Sequence, residues 1–151
     1  MKFSPKNIYL FTMLKLPSAW ICGVRLTAIS SEKSIVKVKH RWINQNPFQS
    51  IYFAVQAMAA ELSTGALVMQ SIETTHQNIS MLVAENNASF SKKATGRITF
   101  KCKDGLHINT AIAKTITSKE SQTCWMKSIG KNEAGEVVSE FNFKWTLKLK
   151  V

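Results

Sequence analysis

A chain of 151 residues with 45% hydrophobic side chains is long enough for one domain with a buried core, and its composition excludes a disordered or fibrous protein. The formal charge of +11 favours anionic partners, although lysines on solvated strand faces give the same total. Cys22, Cys102 and Cys124 lie far apart with no CxxC pair, which argues for reduced thiols in a cytoplasmic protein and against a disulfide framework or a zinc site.

Lys2 and Lys6 followed by Ile8-Tyr9-Leu10-Phe11 have the outline of a secretory leader, but Lys15 and Pro17 interrupt the apolar run too early. Residues 5–15 instead read as a short amphipathic helix covering one end of the domain. No uncharged apolar stretch of about 20 residues occurs, so no membrane span is expected. Residues 20–30 read as a first strand and Ser31-Glu32-Lys33 as a hairpin turn. In 34–42, Val36, Val38 and Trp42 alternate with Lys37, Lys39 and Arg41, the period of a half-buried strand. His40 falls on its apolar face as a core or edge histidine, with no second ligand at metal spacing.

A long helix is predicted over 48–69, with polar side chains recurring at Gln49, Gln56, Ser63 and Gln70 as its solvent stripe. At about 100° per residue, Glu61 lies within roughly 20–60° of the point opposite that stripe. Its helical neighbours Ala57, Met58, Thr64 and Gly65 offer no cation. A carboxylate turned away from water without a partner is costly, and such positions are disproportionately functional.

Four strands follow. Residues 79–90 alternate around Met81 and Val83. In 97–103, Ile98, Phe100 and Cys102 oppose Arg97, Thr99, Lys101 and Lys103. Asp104-Gly105 ends that strand, 106–116 form a short helix or loop, and 120–129 form the next strand. After a turn over 130–135, the last strand places Val137, Ser139, Phe141, Phe143, Trp145, Leu147, Leu149 and Val151 on one face. The order predicts a single α+β domain in which a curved antiparallel sheet wraps one central helix.

This arrangement resembles the hotdog fold. Asn46 before the helix, followed by Ala60-Glu61 within it, resembles the motif of the phenylacetate-pathway type of acyl-CoA thioesterase. The segments WINQNPFQSIYFAVQAMAAELSTG, FSKKATGRITFKCKDG and NEAGEVVSEFNFKWTLK look closer to an uncharacterised bacterial branch of that superfamily. The resemblance implies hydrolysis of an acyl-CoA or another acyl thioester at a homodimer interface, with a tetramer left open. Glu61 would be base or nucleophile, and Asn46 would position water or the carbonyl. The N–H groups near Phe53 and Ala54 would stabilise the oxyanion, while Tyr52, Phe53 and Met58 would favour an apolar acyl tail. Coenzyme A would enter only as part of the substrate, its nucleotide met by Lys92, Lys93, Arg97, Lys101 and Lys103.

Each assignment has a plainer counterpart. Asn46 serves equally as an Asn-Pro turn residue, and the basic cluster as a solvated strand face. Tyr52-Phe53-Ala54 replaces the His-Gly-Gly of many active relatives, so a non-catalytic acyl-CoA or lipid-binding domain is the alternative. The chain has no phosphate loop, nucleophile elbow or HExxH motif. Cys124 and His107 read as a core thiol and a loop histidine rather than a catalytic pair. Aromatics such as Trp42, Trp125 and Trp145 lack a recognisable nucleic-acid motif, which argues against that partner.

Overall fold

The structure, a computed structural model, describes residues 4–150; Lys2 and Val151, named above, lie outside the described residues. Helix α1 (Pro5–Lys15) starts on Ser4, whose hydroxyl accepts the Asn7 amide at 3.3 Å, and stops before Pro17. It is less amphipathic than expected: Ile8 and Thr12 are buried, but Tyr9, Leu10 and Leu14 on the rest of its surface are exposed. A short α2 (Pro17–Ile21) then occupies part of the segment predicted as strand, and β1 (Arg25–Ile29) begins only after it. The Arg25 guanidinium lies 5.3 Å from the Tyr9 ring centroid and 4.8 Å from that of Trp20, tying both helices to β1.

Strand β2 (Ser34–Lys39) ends before Trp42, which sits in a 3-10 turn (Trp42–Asn44) and is 82% exposed rather than inward. His40 is half-buried, its Nε2 without a hydrogen-bond partner among the described residues. The central helix α3 runs Phe53–Thr75 instead of 48–69. The reason lies in the preceding loop, where the Asn46 side chain accepts the amides of Phe48 and Ser50, and Gln49 takes a left-handed φ of 59°. The far end of α3 closes on His76, also left-handed at φ 55°.

Strands β3 (Ile79–Phe90), β4 (Arg97–Cys102), β5 (Gln122–Lys131) and β6 (Val137–Leu149) follow, with α4 (Gly105–Ser118) between β4 and β5. All six strands form one antiparallel sheet in the order β1-β2-β4-β5-β6-β3. Its inner face is built by alternation: Ile98, Phe100 and Cys102 from β4 are fully buried, as are Phe141, Phe143, Trp145 and Leu147 from β6 to within a few per cent. α3 lies on this face, and buried Ala59, Ala60 and Ala66 let it approach closely. This is the hotdog fold.

The polar stripe of α3 points the opposite way to its sequence reading. Gln56 and Ser63 are buried against the sheet, Gln70 is half-buried, and Gln49 lies in the loop outside the helix. Serines on the sheet's inner face make that burial possible. Ser63 donates to Ala60 O and pairs with Ser128 Oγ at 2.7 Å, while Ser34 donates to Ser63 O. The Ser139 hydroxyl donates to Gln56 Oε1 at 2.8 Å, and Gln56 Nε2 donates to Ile51 O at 3.2 Å. Each polar atom taken from water finds a partner there.

Candidate functional site

Because Gln56 and Ser63 face the sheet, Glu61 on the opposite side of α3 faces away from it. There the α1–α2 junction covers the helix, and a pocket of 230 Å³ is lined by Lys15, Pro17, Ser18, Met58, Glu61 and their neighbours. Burial pushes the Glu61 carboxyl above its ordinary value of 4.5. Among the described residues, no cation lies within ion-pair distance of this carboxylate and no hydrogen bond reaches it.

The surrounding turn is fixed from below. The indole N–H of Trp145 donates to Thr64 Oγ1 at 3.0 Å, and that hydroxyl donates to Glu61 O at 3.0 Å. Gly65, one turn on from Glu61, leaves room between the carboxylate and the Trp145 indole. A Cβ at Gly65 would stand 3.2 Å from Glu61 Oε1 and 3.3 Å from the indole. Sequence reasoning noted Gly65 only as a small neighbour. A glycine inside a helical pattern, four residues from an inward acid, was the available signal of a packing requirement.

The other candidate residues gather at the start of α3. A second pocket of 410 Å³ brings together Asn46, Phe53, Gln56, Phe90, Lys92 and Lys93 with their neighbours. Tyr52 carries no side-chain cap for the helix. The first carbonyl to accept a helical amide is that of Tyr52, from Val55 at 2.9 Å and Gln56 at 3.2 Å, which leaves the Phe53 and Ala54 amides ahead of the ladder. Tyr52 and Phe53 stack edge-on at 4.9 Å and are 46% and 56% exposed. Asn46 spends its side chain on the loop, donating to Ser50 Oγ at 2.9 Å and accepting two backbone amides.

Within the chain Asn46 and Glu61 do not meet: they border different pockets. The rise of about 1.5 Å per residue puts Glu61 roughly 12 Å along the helix from Phe53. The basic residues divide as well. Lys92 and Lys93 border the pocket at the start of α3, with Lys92 paired to Glu136, whose carboxyl that contact holds below its usual range. Lys101 and Lys103 border a separate groove on the outer face of the sheet, and Arg97 stands at the start of the same strand.

Cys102 and Cys124 are free thiols whose pKa burial raises, that of Cys102 to about 12, so neither is an activated nucleophile. His107 faces Asp104 at 3.4 Å. Among the described residues no group of His, Cys, Asp or Glu could hold a metal ion, and no helix is long and apolar enough to cross a membrane.

Three solved structures share this architecture. A protein of unknown function from Pseudomonas aeruginosa, described as a probable thioesterase, superposes with a TM-score of 0.82 at 19% identity over 97% of each chain. A protein of unknown function from Chlorobaculum tepidum does so at 0.84 and 15% identity, over 97% of this chain and 94% of that one. A thioesterase from Haemophilus influenzae follows at 0.71 and 10% identity, over 99% and 93%. No curated protein matches the chain significantly. Residues 6–147 match the family described as Domain of unknown function (DUF4442), and the chain belongs to that family.

Proposed function

We propose that this chain hydrolyses acyl thioesters, with acyl-CoA as the substrate class, at a site shared by two protomers and with Glu61 as the base. The observation that carries the reading is the unpartnered Glu61 carboxylate held in a pocket beneath the α1–α2 junction. Glu61 would take a proton from water as its oxygen attacks the thioester carbonyl carbon. The oxyanion would be met by the Phe53 and Ala54 amides, and collapse would break the C–S bond, the thiolate recovering the proton from Glu61. The products are a carboxylic acid and a free thiol. Names of distant structural neighbours add support, since thioesterases occur among them.

The dimer supplies what one protomer lacks. β3 is an edge strand of 12 residues, paired among the described residues with β6 alone, and Leu82 and Phe90 on it are 67% and 49% exposed. A second copy joined along this edge by a two-fold axis sets the two α3 helices side by side. The helix start and Asn46 of one protomer then approach Glu61 of the other, and Lys92 and Lys93 stand at the mouth for the phosphates of coenzyme A. The free thiols support a reducing, cytoplasmic setting.

One observation favours a second reading, a domain that binds acyl-CoA without turning it over: Phe53 is a bulky side chain where a thioester must approach the backbone. A panel of acyl-CoA esters followed by thiol release, beside a binding titration, separates the two. The expected result is release that disappears with Glu61→Gln; tight binding with no release from any ester would favour the second. Sedimentation at micromolar concentration checks the dimer, and a clean monomer would remove the shared site.

A further inference from the structure

The outer face of the sheet carries a feature that thioester chemistry does not use. Ile98, Phe100 and Cys102 of β4 point at α3, so Thr99, Lys101 and Lys103 point away from it. Beside them run Lys127, Ile129 and Lys131 of β5, with Thr99 opposite Lys131 and Lys101 opposite Ile129. The two strands form the floor of a groove of 480 Å³, and the turn at Asn132–Gly135 rises at one end of it. That volume lies within the range of about 300–1,000 Å³ typical of small-molecule sites.

Four lysines border this groove, and no carboxylate among the described residues forms an ion pair with any of them. Two carboxylates are present, but both are turned to the backbone. Asp104 Oδ2 accepts the Lys127 amide at 2.7 Å, and Glu133 Oε1 accepts the Arg97 amide at 2.9 Å. Like charges on neighbouring strands repel, so four lysines that border one groove and have no ion-pair partner among the described residues are relieved by an anion that bridges them.

The two carboxylates also limit what can bridge. Asp104 stands where β4 ends and Glu133 where it begins, so negative charge closes the groove at both ends. A continuous polyanion or an anionic lipid surface would run across those ends. A short anion with several phosphates would lie between them.

We infer that the groove between β4 and β5 on the outer face of the sheet is a binding site for a compact, multiply phosphorylated small molecule, separate from the Glu61 site on the other side of the sheet. Lysine ammonium groups suit this ligand as point charges on phosphate oxygens.

The test is calorimetric titration of the full chain with inorganic tripolyphosphate at about 150 mM salt, where diffuse attraction to a basic protein is screened beyond roughly 8 Å. Saturable binding of one tripolyphosphate per chain is expected. It should weaken at least about tenfold in Lys101→Ala/Lys131→Ala and remain unchanged in the charge-matched Lys6→Ala/Lys114→Ala control. Thermal melts of the groove variant should match or exceed the wild type, because the change removes repulsion between neighbouring lysines. Equal weakening in both variants would reduce the groove to net charge and overturn the proposal. It would also be overturned by no saturable binding, by binding only to phosphatidylserine vesicles, or by displacement of tripolyphosphate by a thioester that lacks the nucleotide. None of these outcomes depends on whether the chain hydrolyses thioesters.

Discussion

Two faces of α3 withdraw polar side chains from water and treat them in opposite ways. On the sheet side, Gln56 and Ser63 are buried, and each is met by a serine of β5 or β6. On the other side, Glu61 is half-buried with no hydrogen bond and, among the described residues, no cation within ion-pair distance. Satisfied burial costs little and fixes the helix on the sheet, whereas even partial burial of a carboxylate without a partner disfavours its charged form. The first pattern is structural, and the second is a reason to look for chemistry.

The comparison breaks most visibly in turnover. Glu61→Gln keeps the shape but cannot accept a proton or attack, so thioester hydrolysis should fall by about two to four orders of magnitude. Thiol release measured under single-turnover conditions checks this. Next in size is Gly65→Ala. The added Cβ would press on Glu61 Oε1 and the Trp145 ring, while helix propensity gains about 1 kcal/mol. The chain should therefore melt near the wild-type temperature while activity drops about a hundredfold through misplacement of the carboxylate.

Stability should respond with opposite signs on the two faces. Gln56→Ala leaves the Ser139 hydroxyl without its acceptor and should cost about 1–3 kcal/mol in denaturant unfolding. Glu61→Gln should instead stabilise the chain at neutral pH. Its folded pKa is raised, so the native state holds a proton that the unfolded chain releases, and stability falls as pH rises from 4.5 through the folded value. The advantage of the variant should therefore vanish as the pH is lowered toward 4.5. Equal stability of the two chains at neutral pH would mean that Glu61 is solvated or partnered.

How much of this was legible depends on what sets each feature. β3 was predicted to its ends, and β4 and β6 in all but their ends; in β4 and β6 the reason is period-two alternation with one greasy face, which survives any tertiary context. The start of α3 was not, because Phe48–Tyr52 reads as a continuation of the apolar helix while the Asn46 side chain, two or four residues away, folds that stretch into a turn. The facing of the polar stripe was inverted for a related reason. α3 is buried nearly all round, and only the serines at 34, 128 and 139, distant in sequence, make its inner face polar. That Glu61 opposes the stripe follows from helical spacing alone and was correct either way. What covers it, the α1–α2 junction, is a tertiary contact that no local pattern encodes.

The most direct test of the account is the pH dependence of kcat/KM for acyl-thioester hydrolysis by the wild-type chain. A base that is ionised only above a raised pKa predicts an acid limb at a pH above the ordinary carboxylate value of 4.5, absent from the residual rate of Glu61→Gln. A rate that stays flat down to pH 4.5, or the same limb in the variant, would contradict the assignment of Glu61 as the base.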